Sequence, residues 1–183
     1  MCHDLESRVL AWLRADPARL EALELAERLR LDDWCLAAGF VRNLVWDRLH
    51  GYTHPTPLND IDLVYFDARD DSAARDRELE EYLGAVSNLP WSVKNQARMH
   101  ERNGDAPYRS TCDAMTYWVE HETAVGAHLG RDQRLSLVAP FGLASLLAGE
   151  VTYNPRCCNR TAFRARFRRK EWLSIWPRLV VVG

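Results

Sequence analysis

WCLAAGFVRNLVWDRLHGYTHPTPLNDIDLVYFD, residues 34–67, changes its apolar period twice, and those changes set the fold. Trp34 to Ala38 is a short apolar run read as a buried strand, and Gly39 breaks it. From Val41 the apolar residues recur at helical spacing, through Leu44, Val45 and Leu49. Gly51, Pro55 and Pro57 mark a loop, after which Ile61 to Phe66 reads as a second strand. Asp60 and Asp62 are two residues apart. On a strand that spacing puts both carboxylates on one face, while Ile61 and Leu63 point to the other. Two carboxylates on one face repel each other. They are either solvated at a strand end or neutralised by a divalent metal, which prefers such hard oxygen ligands.

A strand, a glycine turn, a helix and an Asp-x-Asp strand resemble the core of the nucleotidyltransferase superfamily typified by DNA polymerase β. The whole chain resembles one bacterial family of predicted nucleotidyltransferases within it. The segments that carry this likeness are AAGFVRNLVWDRLHG, LNDIDLVYFD, WSVKNQARMHERNGD, PYRSTCDAM, TAVGAHL and KEWLSIWP, in that order, over about residues 30 to 177. The resemblance implies an α+β fold with a mixed sheet flanked by helices, extended by N- and C-terminal helices. It implies transfer of a nucleoside monophosphate from a nucleoside triphosphate to a hydroxyl acceptor, with Mg²⁺ or Mn²⁺ on Asp60 and Asp62. It names neither the acceptor, for which RNA is one candidate, nor a protein partner.

Length and composition agree with that reading. A chain of 183 residues with 47% hydrophobic and 27% charged content suits one globular domain, taken as residues 1–183 around the core at 30–177. No apolar run approaches the roughly 20 residues needed to span a membrane. MCHDLESRVL lacks the basic and apolar regions of a secretory leader, so the expected compartment is the cytoplasm. The five cysteines include the adjacent pair Cys157 and Cys158 but no Cys-x-x-Cys, and are read as reduced thiols. A net charge of −2 excludes a chain that is basic overall.

Outside the central stretch, Leu5, Val9, Trp12 and Leu13 fit one helical face, and Asp16-Pro17 reads as the cap and first turn of a helix reaching Leu29. Leu79, Tyr82, Leu83 and Val86 mark another helix, and Trp91 to Asn95 a third strand. Glu101 to Arg109 is expected as a loop, and Thr111 to Trp118 as a short helix capped by Ser110. Thr123–Leu129 and Leu135–Ala139 suggest a hairpin turning at Gly130. Pro140 is expected to start a helix ending near Gly149, and Thr161 to Ile175 to form the last one.

Candidate site residues gather around these elements. Superfamily members bring backbone N–H groups to the triphosphate at the glycine turn, which falls on Gly39; Arg42 and Asn43, in the following helical turn, would reach phosphate. The position after the glycine is commonly small, and Phe40 departs from that. Lys94, Asn95, Gln96 and Arg98 are the densest polar group in the chain, with Arg98 a planar donor fork for phosphate. The superfamily adds a third acid on a neighbouring strand, but the matching position here is Ser92, so either another carboxylate, Asp105 or Asp113, reaches the site or the enzyme works with two acids. Ser92 and Phe40 both favour a rival reading, a catalytically silent nucleotide-binding module. A third reading uses the seven basic residues between Arg156 and Lys170 to bind RNA, although a solvated face of a terminal helix is the commoner explanation.

Overall fold

The computed structural model describes residues 2–157 and 160–182; Cys158, half of the adjacent cysteine pair, lies outside the described residues. The two N-terminal helices are α1 (Cys2–Arg14) and α2 (Pro17–Glu27). Asp16 caps α2 by accepting the Arg19 N–H at 3.1 Å, and Pro17 occupies the first turn, where its missing N–H costs nothing. The central stretch then folds as β1 (Trp34–Ala37), α3 (Gly39–His50) and β2 (Ile61–Tyr65). Helix α4 (Ala73–Val86), capped by Ser72, leads to β3 (Trp91–Asn95).

Strand β2 pairs antiparallel with β1 and parallel with β3. On the other side of β1 lie β4 (Gly126–Leu129) and β5 (Leu135–Val138), giving a mixed five-stranded sheet in the order β3-β2-β1-β4-β5. Strand alternation sorts the side chains onto two faces. Ile61, Leu63, Tyr65, Trp91 and Val93 join the large core beneath the helices, together with Val9 and Leu13 of α1 and Phe40, Val41, Leu44 and Val45 of α3. The opposite face carries a smaller cluster of Cys35, Ala37, Val64, Met115 and Ala124. Its thinner cover leaves room for a cleft.

The register fixes where the strand ends meet. Ala37, the last residue of β1, pairs with Asp62 on one side and Gly126 on the other, while Asp62 pairs with Ser92. The turn after β1, the start of β2 and the start of β3 therefore converge at one edge. Gly126 is required there by space: a Cβ would lie 2.4 Å from Cys35 Sγ.

Several elements differ from the sequence expectation. The expected loop 101–109 begins with one helical turn, α5 (Met99–Asn103), and the helix after Ser110 is shorter, α6 (Thr111–Met115). Strand β4 starts at Gly126 rather than Thr123. Pro140 starts no helix; α7 (Ala144–Ala148) begins after Gly142 reverses the chain at φ 74°. A parallel pair, β6 (Glu150–Thr152) with β7 (Val180–Val182), was not signalled by the local pattern, because three residues are too few to show a period.

The last expected helix is two. Helix α8 (Arg160–Lys170) ends at Glu171, which takes a left-handed conformation at φ 49°, and α9 (Trp172–Ile175) follows in a new direction. That break explains why Trp172 and Trp176 fall off the Phe163–Phe167 stripe. Both indoles instead pack edge-on against Trp46 of α3, at centroid distances of 5.3 and 5.1 Å. Asp47, buried in α3, ties the same region together by accepting from Trp176 Nε1 at 2.8 Å and from the Thr56 N–H at 2.8 Å. It thereby anchors the loop that delivers Asp60.

Candidate active site

A cleft of about 520 Å³ opens at the edge where the strand ends converge. Asp60 and Asp62 line it, together with Gly39 and Arg42 from the start of α3. Asp60 immediately precedes β2 and is exposed, whereas Asp62 lies within β2 and is half-buried. Burial raises the Asp62 carboxyl above its ordinary range, and the neighbouring Asp60 charge raises it further; Arg42, Lys170 and a hydrogen bond from Ser92 oppose the shift. The two carboxylates thus sense each other as the shared face requires. They are hard donors of the kind that hold Mg²⁺ or Mn²⁺, and a divalent cation would remove the repulsion. Among the described residues, no group of three or more acidic, histidine or cysteine side chains is placed to hold a metal.

The turn between β1 and α3 is displaced by one residue from the expected position. Ala38, not Gly39, has positive φ, at φ 55° and ψ −120°, a conformation that costs a residue with a Cβ. Gly39 is the first residue of α3, and a Cβ on it would meet Asn43 at an ordinary 3.4 Å. The small pair at the turn is therefore Ala38-Gly39. The Phe40 side chain is buried, and its carbonyl accepts from Arg19 Nε at 2.8 Å.

Arg42 is the most unusual group in the cleft. Its guanidinium donates to Thr123 Oγ1 at 2.9 Å and Asn43 Oδ1 at 3.0 Å, both neutral acceptors. It stacks over Trp172 at 4.5 Å and Trp46 at 5.1 Å, while its Nε has no partner among the described residues. Among the described residues no carboxylate pairs with it. Burial lowers its pKa to about 10, with Glu120, Asp62 and Asp60 pulling the other way. A buried cation held by neutral groups is costly unless an anion completes its shell.

The remaining predicted residues divide between two sides of β3. Ser92 and Lys94 share the cleft face, and Lys94 and Gln96 line the cleft; Lys94 Nζ is 3.9 Å from Glu80. Asn95 points the other way. It is fully buried, accepts from the Asp67 and Ala97 N–H groups and donates to the Asp67 and Asp70 carbonyls, so it orders a loop. Arg98 also leaves the cleft, since it pairs with buried Asp76. Asn43 borders the cleft only through Arg42. Of the two acids proposed to replace Ser92, Asp105 lines the cleft and accepts from the Tyr108 hydroxyl. Asp113 instead accepts the Arg109 N–H at 2.9 Å and belongs to the start of α6.

The sequence reading missed several cleft residues. Tyr117 and Trp118 line it after α6, beside Met99, and Arg166 and Lys170 line it from α8. The signal for the last two was their spacing of four, on the flank next to Phe163 and Phe167.

Comparison with known proteins follows the same line. A family model described as nucleotidyltransferase matches residues 24–181. An NMR structure described as revealing a CCA-adding enzyme head domain is similar over 97% of this chain and 96% of its own, at 31% identity and a TM-score of 0.83. A tRNA-processing enzyme in an apo form matches over 87% of this chain but 44% of its own, at 15% identity and a TM-score of 0.53. A CCA-adding enzyme in an apo form matches over 90% and 46%, at 14% identity and 0.53. This chain spans less than half the length of those last two, and the likeness to them is one of fold. A comparison with curated proteins finds no match. No helix among the described residues is long and apolar enough to cross a membrane. With its mixed sheet, its Asp-x-Asp strand end and a family match over most of its length, this chain belongs to the nucleotidyltransferase family, enzymes that transfer phosphorus-containing groups on a polymerase β-like fold.

Proposed function

We propose that this protein is a metal-dependent nucleotidyltransferase that moves a nucleoside monophosphate from a nucleoside triphosphate to a hydroxyl acceptor. The observation that carries the reading is the buried Arg42 cation, held by neutral partners in one cleft with Asp60 and Asp62. A triphosphate supplies the anion that Arg42 lacks. Mg²⁺ or Mn²⁺ held by Asp60 and Asp62 would neutralise the charge that builds on the reacting and leaving oxygens. Gly39 leaves backbone room at the start of α3, where first-turn N–H groups lack intrahelical acceptors and favour a phosphate. Arg42 orients that phosphate as a donor fork. Lys94 and Gln96 lie along the same cleft, and Tyr117 and Trp118 give it an aromatic wall on which a base can stack.

The similar structures are described as CCA-adding and tRNA-processing enzymes, which makes an RNA hydroxyl the first acceptor to try. Free thiols at Cys35 and Cys112 suit a reducing compartment such as the cytoplasm. Ser92 at the register of Asp62 keeps one alternative in view, a module that binds nucleotide without turnover. Asp105 in the cleft weighs against it.

The test is incubation with each labelled triphosphate, Mg²⁺ or Mn²⁺, and RNA or cell extract as acceptor. The expected outcome is label transfer with pyrophosphate release, reduced roughly 10²–10³-fold or more by Asp60→Asn with Asp62→Asn, as when a charged transition-state contact is removed. Folded wild-type protein that binds triphosphate but releases no pyrophosphate with any acceptor would establish the silent module instead.

A further inference from the structure

The basic stretch near the C-terminus divides between two environments. Phe163 is buried, and Phe167 packs beside it, which seats α8 against the core. Arg166 and Lys170, four residues apart, line the cleft, whereas Arg160, Arg164 and Arg168 are exposed. Arg166 Nε donates to Glu120 Oε1 at 2.8 Å. Glu120 is fully buried, and its Oε2 has no partner among the described residues. A buried carboxylate that holds one edge of a guanidinium leaves the opposite donors of the fork free for another anion.

Lys170 has no ion-pair partner among the described residues. Burial lowers its pKa, and the nearby Arg166 and Arg42 charges lower it further, while Asp60 raises it. Lys170 therefore shares the carboxylate end of the cleft with Arg42 and Arg166. Five cations line the cleft against the three carboxylates Asp60, Asp62 and Asp105. Glu120 pairs with Arg166 and Glu80 with Lys94, but Arg42 and Lys170 have no ion-pair partner among the described residues. That arrangement suits a compact polyanion better than a single phosphodiester.

We propose that the inward edge of α8, Arg166 and Lys170, grips the terminal phosphates of the bound triphosphate and the departing pyrophosphate, with Glu120 as the positioning residue that aims Arg166. This rests on the triphosphate site proposed above and gives its leaving-group end to a helix with no part in the Asp-x-Asp core. The outward arginines of α8 take no part.

The experiment is calorimetric titration of the full chain with inorganic tripolyphosphate and Mg²⁺. It compares wild type with Lys170→Gln, Arg166→Gln, Glu120→Gln, the double variant Glu120→Gln/Arg166→Gln, and Arg164→Gln as the outward control. Lys170→Gln and Arg166→Gln should each weaken binding about tenfold, the scale of one charge-assisted hydrogen bond. Arg164→Gln should change it less than about twofold, as an exposed charge facing away from the ligand. The double variant should lose no more than Arg166→Gln alone, because Glu120 acts through Arg166. Lys170 is exposed, so Lys170→Gln decides the matter even if a change at Glu120 unfolds the protein. Wild-type affinity in Lys170→Gln and Arg166→Gln would overturn the proposal, as would loss of RNA binding by these variants with tripolyphosphate binding intact. Mg²⁺-dependent binding in wild type with no effect of the α8 variants defeats this inference alone. No Mg²⁺-dependent tripolyphosphate binding in wild type defeats the triphosphate site as well.

Discussion

Two polar clusters flank β3, and they are built from the same kinds of residue. Behind the strand, buried Asp76 accepts from the Tyr65 hydroxyl at 2.8 Å, from the Asn95 N–H at 3.0 Å and from Arg98. Asn95 uses its amide oxygen and nitrogen on four backbone groups. That cluster is complete. In front of the strand, Arg42 Nε and Glu120 Oε2 are buried without partners among the described residues, the Asp62 carboxyl is raised by burial and by the Asp60 charge, and Ala38 holds a costly backbone conformation. A polar network that satisfies itself holds a fold together, while one that leaves donors and charges unmet is arranged for something it does not contain.

The largest effect should come from breaking the complete cluster. Asp76→Ala would leave Arg98 and the Tyr65 hydroxyl without their acceptor. It should cost roughly 3–5 kcal/mol, as expected for removing one partner of a buried pair. Thermal unfolding should show a fall in Tm of about 2–4 °C per kcal/mol for a chain of this size. Triphosphate affinity of the molecules that remain folded should be unchanged, which separates the two clusters.

Relieving the unmet cluster should do the opposite. Ala38→Gly removes backbone strain of about 1–3 kcal/mol and adds about 0.5–1 kcal/mol of chain entropy cost, so a gain near 1 kcal/mol is expected. Gly39→Ala, at an ordinary contact distance, should change stability little. A Tm lowered by Ala38→Gly would show that Ala38 is not strained.

Asp62 offers the smallest and most specific change. Its carboxyl is raised, so the charged form is penalised in the folded state. The penalty is complete above the raised pKa and vanishes as pH falls to the ordinary carboxylate range, where Asp62 is protonated both folded and unfolded. Asp62→Asn should therefore raise the Tm of the metal-free protein at neutral pH, and the advantage should disappear in acid. Melts of both proteins across pH check this; an advantage that persists in acid would assign it to something other than charge.

The same contrast explains what the sequence disclosed. Periods of two and of 3.6 located β1, α3, β2, α4 and β3, and the expected third strand coincides with β3. Strand parity also placed Asp62, Ser92 and Lys94 on one face. Parity equally sends Asn95 to the far side, but the polar run Lys94–Arg98 read as one group, and only the loop after Asp67 shows what Asn95 serves. Arg98 was out of reach for the same reason, because Asp76 lies 22 residues away. The turn slipped by one position because glycine is the expected bearer of positive φ, and here tertiary pairing forces it on Ala38, whose N–H donates to the Val125 carbonyl at 2.8 Å. Arg166 and Lys170 sat in a stretch that local charge alone reads as solvated. Their position depends on the break at Glu171, which turns Trp172 over Arg42.

The most direct test of the cleft as a metal–triphosphate site is Mn²⁺ binding followed by electron paramagnetic resonance, with and without a non-hydrolysable nucleoside triphosphate. Wild-type protein should bind Mn²⁺ more tightly when the triphosphate is present, and Asp60→Asn with Asp62→Asn should abolish that gain while the protein remains folded. Mn²⁺ affinity that is equal in the two folded proteins would contradict the assignment.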